Sequence, residues 1–413
     1  MWYIERSMGN DQFVDLTAWI TEAGLAGLSE AATLTGFCER ALTLGLPLAR
    51  ANVVIDTLHP IYEGRAFTWK RDRKETVLTE FGRSDDQSDL WERSPFYRLE
   101  LTGESLLRRR LSAETEAEFS IFSDLRAEGM TDYLAITNRF AAEGIIGEMD
   151  CVYSSWATDA PRGFRDSDVD NLSRLMPLVA LTLKSASLTR IAGTLVETYL
   201  GRDAGRKVLG GRIGRGVADR IDAVLWFSDL RNYTRISDSA DPGQIIPLLN
   251  EYAGAILSAI HEHEGDVLKL IGDGTLAIFT AGDRASACHA ALTAALEARR
   301  GVALVNERRI AASLPTTDMY LGLHVGEVFY GNIGSEERLD FTVVGPAVNE
   351  VSRIASMCRS LDQPVLTSSA FASAIGEPRR LLVSVGRYAL RGVERPQSLF
   401  TVDRESVAFD RGR

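Results

Sequence analysis

WFSDLRNYT at residues 226–234 decides the fold of the C-terminal half of this 413-residue chain. It continues the apolar run 221–227, which predicts a buried strand that delivers Asp229 to its end. KLIGDGTLAIF at residues 269–279 predicts two further strands joined by a tight Gly-Asp-Gly turn, which carries Asp273. The pattern therefore predicts two carboxylates at the ends of sheet strands.

Paired carboxylates at neighbouring strand ends can hold two divalent cations about 3.5–4 Å apart, an arrangement that suits phosphoryl chemistry. The glycines on both sides of Asp273 also let the backbone approach an anion closely. Each aspartate has a simpler interpretation as well, Asp229 as a helix cap and Asp273 as a hairpin-turn residue. Either aspartate alone therefore leaves the function open.

A third segment, DFTVVGPAVNEVSR at residues 340–353, places two polar side chains on one helical face. Its predicted strand 342–344 is followed by Gly-Pro, and proline is favoured at the first position of a helix. Asn349 and Arg353 are then four residues apart and point the same way. In isolation they could form a hydrogen-bonded surface pair without a role in function.

The three segments, in this order and spacing, resemble the signature blocks of class III nucleotidyl cyclases. The likeness extends from about residue 217 to about residue 405. It implies an α+β chain whose C-terminal part, residues 217–413, is a ferredoxin-like class III cyclase domain. It also implies a homodimer in which two chains meet head to tail and share each active site.

The resemblance gives each matching residue a role. Asp229 and Asp273 are expected to bind two Mg²⁺ or Mn²⁺ ions per active site, assisted by the Leu230 carbonyl. Asn349 is expected to orient the ribose, and Arg353 to stabilise the charge that develops on the α-phosphate. The amides expected to receive the β- and γ-phosphates are those of Arg231, Asn232, Tyr233 and Thr234.

Lys269 and Thr342 match the purine-selecting positions of the family. An ammonium can donate to the N1 acceptor of adenine, and a threonine hydroxyl can accept from its N6 amino group. Guanine presents an N1–H donor and would require a carboxylate, so ATP is expected to be preferred over GTP. Arg391, in YALRG, matches a position that contacts the terminal phosphates, although a solvated arginine at a strand end explains it equally well.

The first 185 residues resemble a GAF-like α/β sensor domain, because predicted strands are followed by the loop ATDAPRGFRDSDVDNL at 157–172 and a long exit helix. The resemblance implies a pocket for a small-molecule ligand or a chromophore. The alternative is an empty domain used for dimerisation. Cys151 could attach a tetrapyrrole, but a single strand cysteine is more often part of a core.

Residues 186–216 are expected to form a helical linker between the two domains. Apolar residues near heptad spacing from Leu172 to Leu200 favour a short, imperfect parallel coiled coil that leads into this linker. The glycine-rich stretch 201–216 lacks the lysine followed by Ser/Thr that a phosphate-binding P-loop needs, because Lys207 precedes Val208. This stretch is therefore expected to be a joint that transmits signals.

Composition limits the classes of function. Apolar residues make up 45% of the chain and charged residues 25%, which is typical of a folded protein, and the net charge of −11 disfavours a general nucleic-acid binder. No run of apolar residues predicts a membrane span and no signal peptide is predicted, so a cytoplasmic location is expected. The sequence predicts an adenylyl cyclase that makes 3′,5′-cyclic AMP and pyrophosphate under control of its N-terminal domain. A guanylyl cyclase and a non-catalytic nucleotide- or ligand-sensing pseudo-cyclase are the alternatives.

Overall fold

The structure is a computed structural model, and it describes residues 9–73, 75–83, 91–111, 118–140, 146–147, 149–280, 282–393 and 395–403. The chain forms two compact units, Met1–Leu195 and Val196–Arg413, each with its own sheet.

The first unit is built on a six-stranded antiparallel sheet. Its strands are β1 (Arg50–Asp56), β2 (Tyr62–Lys70), β3 (Val77–Gly82), β4 (Leu106–Arg110), β5 (Asp132–Arg139) and β6 (Cys151–Thr158). Their order across the sheet is β3-β2-β1-β6-β5-β4. The helices are α1 (Asn10–Leu25), α2 (Glu30–Thr43), α3 (Pro95–Thr102), α4 (Ser120–Ala127) and α5 (Asp166–Leu200), the last of which continues into the second unit.

Each face of this sheet carries its own apolar core. Successive strand residues point to opposite faces, so Trp156 of β6 packs edge to face on Phe37 of α2, with 5.5 Å between ring centroids. Tyr153 of the same strand joins the other core, in which Phe122 of α4 packs on Tyr133 of β5. The unit is thus an α/β layer structure, and its GAF-like character stays a prediction.

Among the described residues, α5 is the one helix long and apolar enough to cross a membrane by length and composition. In the relevant window 44% of the residues are buried inside the protein. Leu172, Leu175 and Val179 lie in the core of the first unit. A core helix of this kind meets the same length and composition criteria.

The second unit contains an eight-stranded sheet with helices on both faces. Its strands are β7 (Ala218–Leu230), β8 (Asp266–Ile271), β9 (Gly274–Phe279), β10 (Met319–Gly334), β11 (Leu339–Val344), β12 (Val365–Ser368), β13 (Leu382–Tyr388) and β14 (Gln397–Val402). Their order is β13-β14-β12-β10-β7-β9-β8, and β11 pairs with β10. The helices are α6 (Arg202–Leu209), α7 (Tyr233–Ser239), α8 (Pro242–Glu262), α9 (Arg284–Ala311), α10 (Pro346–Leu361) and α11 (Ser369–Ala374), followed by a 3₁₀ turn (Glu377–Leu381).

The central pair of strands, β7 and β10, fixes the position of Asp229 along the sheet. Asp229 of β7 lies opposite Tyr320 of β10, and Ser228 lies opposite Thr275 of β9. Helix α10 packs so closely on β10 that a Cβ on Gly322 would lie 2.7 Å from the Val351 carbonyl oxygen. The α+β fold predicted for this part of the chain is confirmed.

Candidate active site

The two predicted metal aspartates lie side by side in the second unit. Asp229 ends strand β7, and Asp273 lies in the two-residue turn that joins β8 and β9. The Leu230 amide donates a hydrogen bond to Asp273 Oδ2 at 3.1 Å, which ties the end of β7 to this turn. Gly272 of the turn has a φ of 62°, a conformation that glycine adopts without strain.

Asp229 is electrostatically strained. Its Oδ1 atom is buried and has no hydrogen-bond partner among the described residues. Burial, and then the charge of Asp273, raise the pKa of Asp229 to about 6. A buried carboxylate oxygen without a partner is costly, and a bound cation would supply the missing interaction.

The residues present fit divalent cations that share their ligands with a substrate. No group of three or more His, Cys, Asp or Glu residues with metal-site geometry occurs in the described part of the chain. Mg²⁺ at phosphoryl-transfer sites is typically held by one or two carboxylates, with substrate phosphates and water completing its shell. Asp229 and Asp273 match that requirement, and the orphaned Oδ1 of Asp229 supports it.

The turn after β7 contains one residue with a left-handed backbone, and one of the four amides predicted to bind phosphate is already engaged. Asn232 adopts φ 57° and ψ 24°, the left-handed region in which asparagine is tolerated better than most residues. The Arg231 amide donates to the Asp318 carbonyl at 2.7 Å, so a phosphate-binding role falls to the amides of residues 232–234.

A cavity of about 630 Å³ opens beside the two aspartates. Six of the twelve predicted site residues line it: Asp229, Leu230, Asn232, Tyr233, Thr234 and Asp273. Sequence reasoning missed Arg235 and Arg359, two arginines that line the same cavity. Arg359 lies on α10, six residues beyond Arg353. This is not a spacing that places two side chains on one helical face, so the sequence pattern gave no signal for it.

Asn349 and Arg353 lie on the solvent side of α10, as their spacing predicts. The opposite side of the helix is buried through Val351, Ile354 and Cys358. Asn349 is exposed and Arg353 is partly exposed, and neither lines the cavity next to the aspartates. One chain therefore does not bring this pair to the aspartates of the same chain.

The loop after β13 approaches Arg353. A Cβ on Gly392 would lie 3.3 Å from Arg353 Nη2, so the loop backbone lies against the guanidinium. Arg391, the preceding residue, is exposed. The structure thus brings Arg391 and Arg353 into one neighbourhood, separate from the cavity beside Asp229.

The two predicted purine-selecting residues also lie in one neighbourhood. Lys269 of β8 forms an ion pair with Asp340 of β11. Asp340 and Thr342 are two residues apart on that strand and so point to the same face. Sequence reasoning missed Asp340, although its two-residue spacing from Thr342 could have indicated it.

Residues 217–402 match the family described as the adenylate and guanylate cyclase catalytic domain. This part of the chain is therefore a class III nucleotidyl cyclase catalytic domain. The match and the fold confirm the family resemblance for the C-terminal unit, whereas they leave the N-terminal unit without an assigned family.

Curated relatives are similar over about half of the chain. The uncharacterized protein Rv1319c of Mycobacterium tuberculosis (strain H37Rv) is 32% identical over 209 residues, which cover 49% of this chain and 38% of that relative. The uncharacterized protein Rv1318c of the same strain is 33% identical over 211 residues, covering 49% and 37%. The chain thus matches less than two fifths of the length of these relatives.

Solved structures are similar to slightly less than half of the chain. The adenylyl cyclase CyaB from P. aeruginosa is 23% identical, with a TM-score of 0.41, and the match covers 45% of this chain and 96% of that one. The guanylyl cyclase Cya2 is 29% identical, with a TM-score of 0.40, and the match covers 45% and 93%.

Proposed function

We propose that the protein is an adenylyl cyclase that converts ATP to 3′,5′-cyclic AMP and pyrophosphate at two active sites shared between two identical chains. The single observation that carries this proposal is the division of the candidate site into two groups. Asp229 and Asp273 line one cavity, whereas Asn349 and Arg353 of α10 are not among the residues that line it. A second chain meeting the first head to tail would complete each site.

The proposed reaction is an in-line displacement at the α-phosphorus. The ribose 3′-oxygen loses its proton and forms a bond to that phosphorus, and the bond to the bridging oxygen of pyrophosphate breaks. Asn349 holds the ribose so that the 3′-oxygen lies in line, which lowers the entropic part of the barrier. Arg353 stabilises the negative charge that grows on the α-phosphate oxygens, a contribution of about 10³-fold or more for such an arginine.

Asp229 and Asp273 would hold the Mg²⁺ or Mn²⁺ ions, which when bound lower the pKa of the 3′-hydroxyl and neutralise the triphosphate. The net charge of −11 makes such local neutralisation necessary for an anionic substrate. Arg235 and Arg359, which line the cavity, add positive charge on the same side. The amides of residues 232–234 and, from the other neighbourhood, Arg391 are proposed to contact the β- and γ-phosphates.

The preference for ATP rests on the residues around the base. Lys269 can donate to adenine N1, and the Thr342 hydroxyl can accept from the N6 amino group. A guanylyl cyclase is the second candidate, because Asp340 brings a carboxylate to this region and a carboxylate can accept from guanine N1–H. In the structure this carboxylate is paired with Lys269, which favours the adenine reading.

We further propose that the N-terminal unit regulates the cyclase as a sensor domain. It contains a cavity of about 500 Å³ that a small ligand or chromophore could fill. Four carboxylates line this cavity and no described lysine or arginine does, so an anionic ligand is disfavoured there. Helix α5 leaves this unit and continues into the catalytic one, which makes it the proposed path of the signal. We place the protein in the cytoplasm, outside membranes and without nucleic-acid partners.

The catalytic proposal is tested with purified full-length protein, ATP or GTP, and Mg²⁺ or Mn²⁺. Chromatography of the products should show cyclic AMP and pyrophosphate from ATP, with much less cyclic GMP from GTP. Cyclic GMP as the main product would support the guanylyl cyclase. No cyclic product from either nucleotide would overturn the enzyme and favour a non-catalytic pseudo-cyclase.

Regulation is tested by filling the N-terminal cavity. Gly64 lines it, and a Cβ at this position meets only ordinary contacts, the nearest at 3.6 Å. Gly64→Leu should change kcat for ATP about fivefold, a typical coupling between sites, while KM stays near its wild-type value. Gly82→Leu in β3, outside the cavity, is the matched control. Equal kcat values for both variants and the wild type would contradict the sensor role.

A further inference from the structure

We propose that Asp340 is a positioning residue for base selection: it holds the Lys269 ammonium so that the remaining N–H groups face N1 of adenine. The inference rests on the proposed adenylyl cyclase function and assigns a determinant of its substrate preference. Asp340 lies outside the residues that the family resemblance marks as purine-selecting, and the contact itself brings it into the site.

The local packing explains why this contact forms. Leu268 of β8 and Phe341 of β11 lie in one apolar cluster, and Tyr330 packs on Phe341 edge to face with centroids 4.9 Å apart. A register shift in β8 between Val267 and Lys269 interrupts the alternation of side chains, and Lys269 lies opposite Leu276, a member of the same cluster. On β11, Asp340 precedes the buried Phe341, and the ion pair joins the two strands beside this cluster. The two strands are therefore held together by the core beside the ion pair.

A role in stability alone does not account for the pair. The Lys269 and Asp340 side chains are 39% and 42% exposed. Exposed ion pairs contribute little or nothing measurable to folding, because water screens them and two side chains lose freedom. The ion pair does fix the location of the Lys269 ammonium. Thr342 lies on the same face of β11 as Asp340.

The donor inventory connects this location to the base. A lysine ammonium has three N–H donors and no acceptor, so one bond to Asp340 leaves two for a ligand. Adenine N1 accepts one of them. The paired carboxylate is at the same time occupied, and it is less available to accept N1–H of guanine. The pair would thus favour adenine in two ways. It orients the Lys269 ammonium toward adenine N1, and it occupies the Asp340 carboxylate that could otherwise accept from guanine.

The test is Asp340→Asn in the full-length protein. The variant removes the charge but keeps the shape, and loss of one charge-assisted contact should lower kcat/KM for ATP about tenfold, mainly through KM. The ratio of kcat/KM for ATP to that for GTP should fall by a similar factor. Asp340→Glu, which keeps the carboxylate, should recover most of the ratio. An unchanged ratio in Asp340→Asn would overturn the inference.

A matched control separates this role from a structural one. Glu327→Gln removes the carboxylate of another exposed ion pair, Arg220–Glu327, in the same sheet, and should leave the ATP-to-GTP ratio unchanged. Equal shifts of the ratio in both variants would also overturn the inference. If the wild-type protein makes no cyclic nucleotide, the proposed function fails on its own, and the ratio is then measured by binding of fluorescent ATP and GTP analogues.

Discussion

The two halves of the candidate active site differ in burial and in electrostatic state. The aspartate half is partly buried, and Asp229 carries an unpaired oxygen and a raised pKa. The helix half presents Asn349 and Arg353 toward solvent on the outer face of α10. One half holds a buried carboxylate oxygen without a hydrogen-bond partner among the described residues, and the other presents a guanidinium toward solvent.

This difference indicates how the site is completed. Unsatisfied carboxylates attract cations and their phosphate ligands, whereas an exposed guanidinium beside a helix is free to meet an anion from another surface. A triphosphate bound between the halves would satisfy both. The first prediction below removes one half at a time. The others test the raised pKa of Asp229 in the aspartate half and the position of Arg353 in the helix half.

The largest expected effect is loss of catalysis from either half alone. Arg353→Ala and Asp273→Asn should each lower kcat about 10³-fold or more, because one removes the charge that stabilises the transition state and the other a metal ligand. Steady-state kinetics with ATP and Mn²⁺ measures this. Arg308→Ala, which removes an exposed arginine from α9, is the control and should behave as wild type. Activity retained by either site variant would break the assignment of that half.

The second prediction concerns the strain in the aspartate half. Asp229→Asn should abolish activity but raise the free energy of unfolding in EDTA at pH 7.5 by about 1–2 kcal/mol, after allowance for partial exposure. If the second unit, Val196–Arg413, unfolds as one cooperative unit, that corresponds to about 2–4 °C in Tm. Asp238→Asn, at an exposed carboxylate of the same cavity, should leave Tm unchanged.

The stability gained by Asp229→Asn should increase as the pH rises. The folded-state pKa of Asp229 is about 6, above the ordinary value of 3.8. The neutral acid is therefore favoured in the fold, and the stability it gives is present below pH 3.8 and is lost as the pH rises through 6. The difference in Tm between Asp229→Asn and wild type should be near zero at pH 4 and largest above pH 7. A difference independent of pH would contradict the strain assigned to Asp229.

The third prediction perturbs the helix half while Asn349 and Arg353 themselves are left unchanged. Gly392 has a φ of 71°, and its Cβ would press on the Arg353 guanidinium. Gly392→Ala should therefore lower kcat about tenfold with little change in KM. Gly376→Ala is matched, because φ is 73° there and a Cβ would meet nothing within 4 Å. Similar losses in both variants would mean that backbone strain, and not Arg353, is responsible.

Much of the catalytic unit could be predicted because its decisive elements are local. Apolar runs bounded by glycine turns predicted the strands that became β7, β8 and β9, and Gly-Pro predicted the start of α10 at Pro346. The left-handed backbone at Asn232 is equally local, because asparagine tolerates that conformation better than most residues. Such features depend on a few neighbouring residues, so they are readable from the sequence.

The contacts between distant segments could not be predicted. Lys269 and Asp340 are 71 residues apart, and no spacing rule links β8 to β11. The engagement of the Arg231 amide by the Asp318 carbonyl also depends on how β7 ends against β10. In the N-terminal unit, the short strand β4 (LLRRR) carries three consecutive arginines, and it lacks the apolar alternation that identifies a strand.

The most direct test of the shared site mixes Asp273→Asn and Arg353→Ala proteins after each has been shown to be inactive and folded. Random exchange makes half of the dimers mixed, and each mixed dimer holds one intact site of two. Cyclic AMP formation should therefore recover to about a quarter of the wild-type rate. A mixture that stays as inactive as its components, although exchange is verified with differently tagged chains, would contradict a site built from both halves.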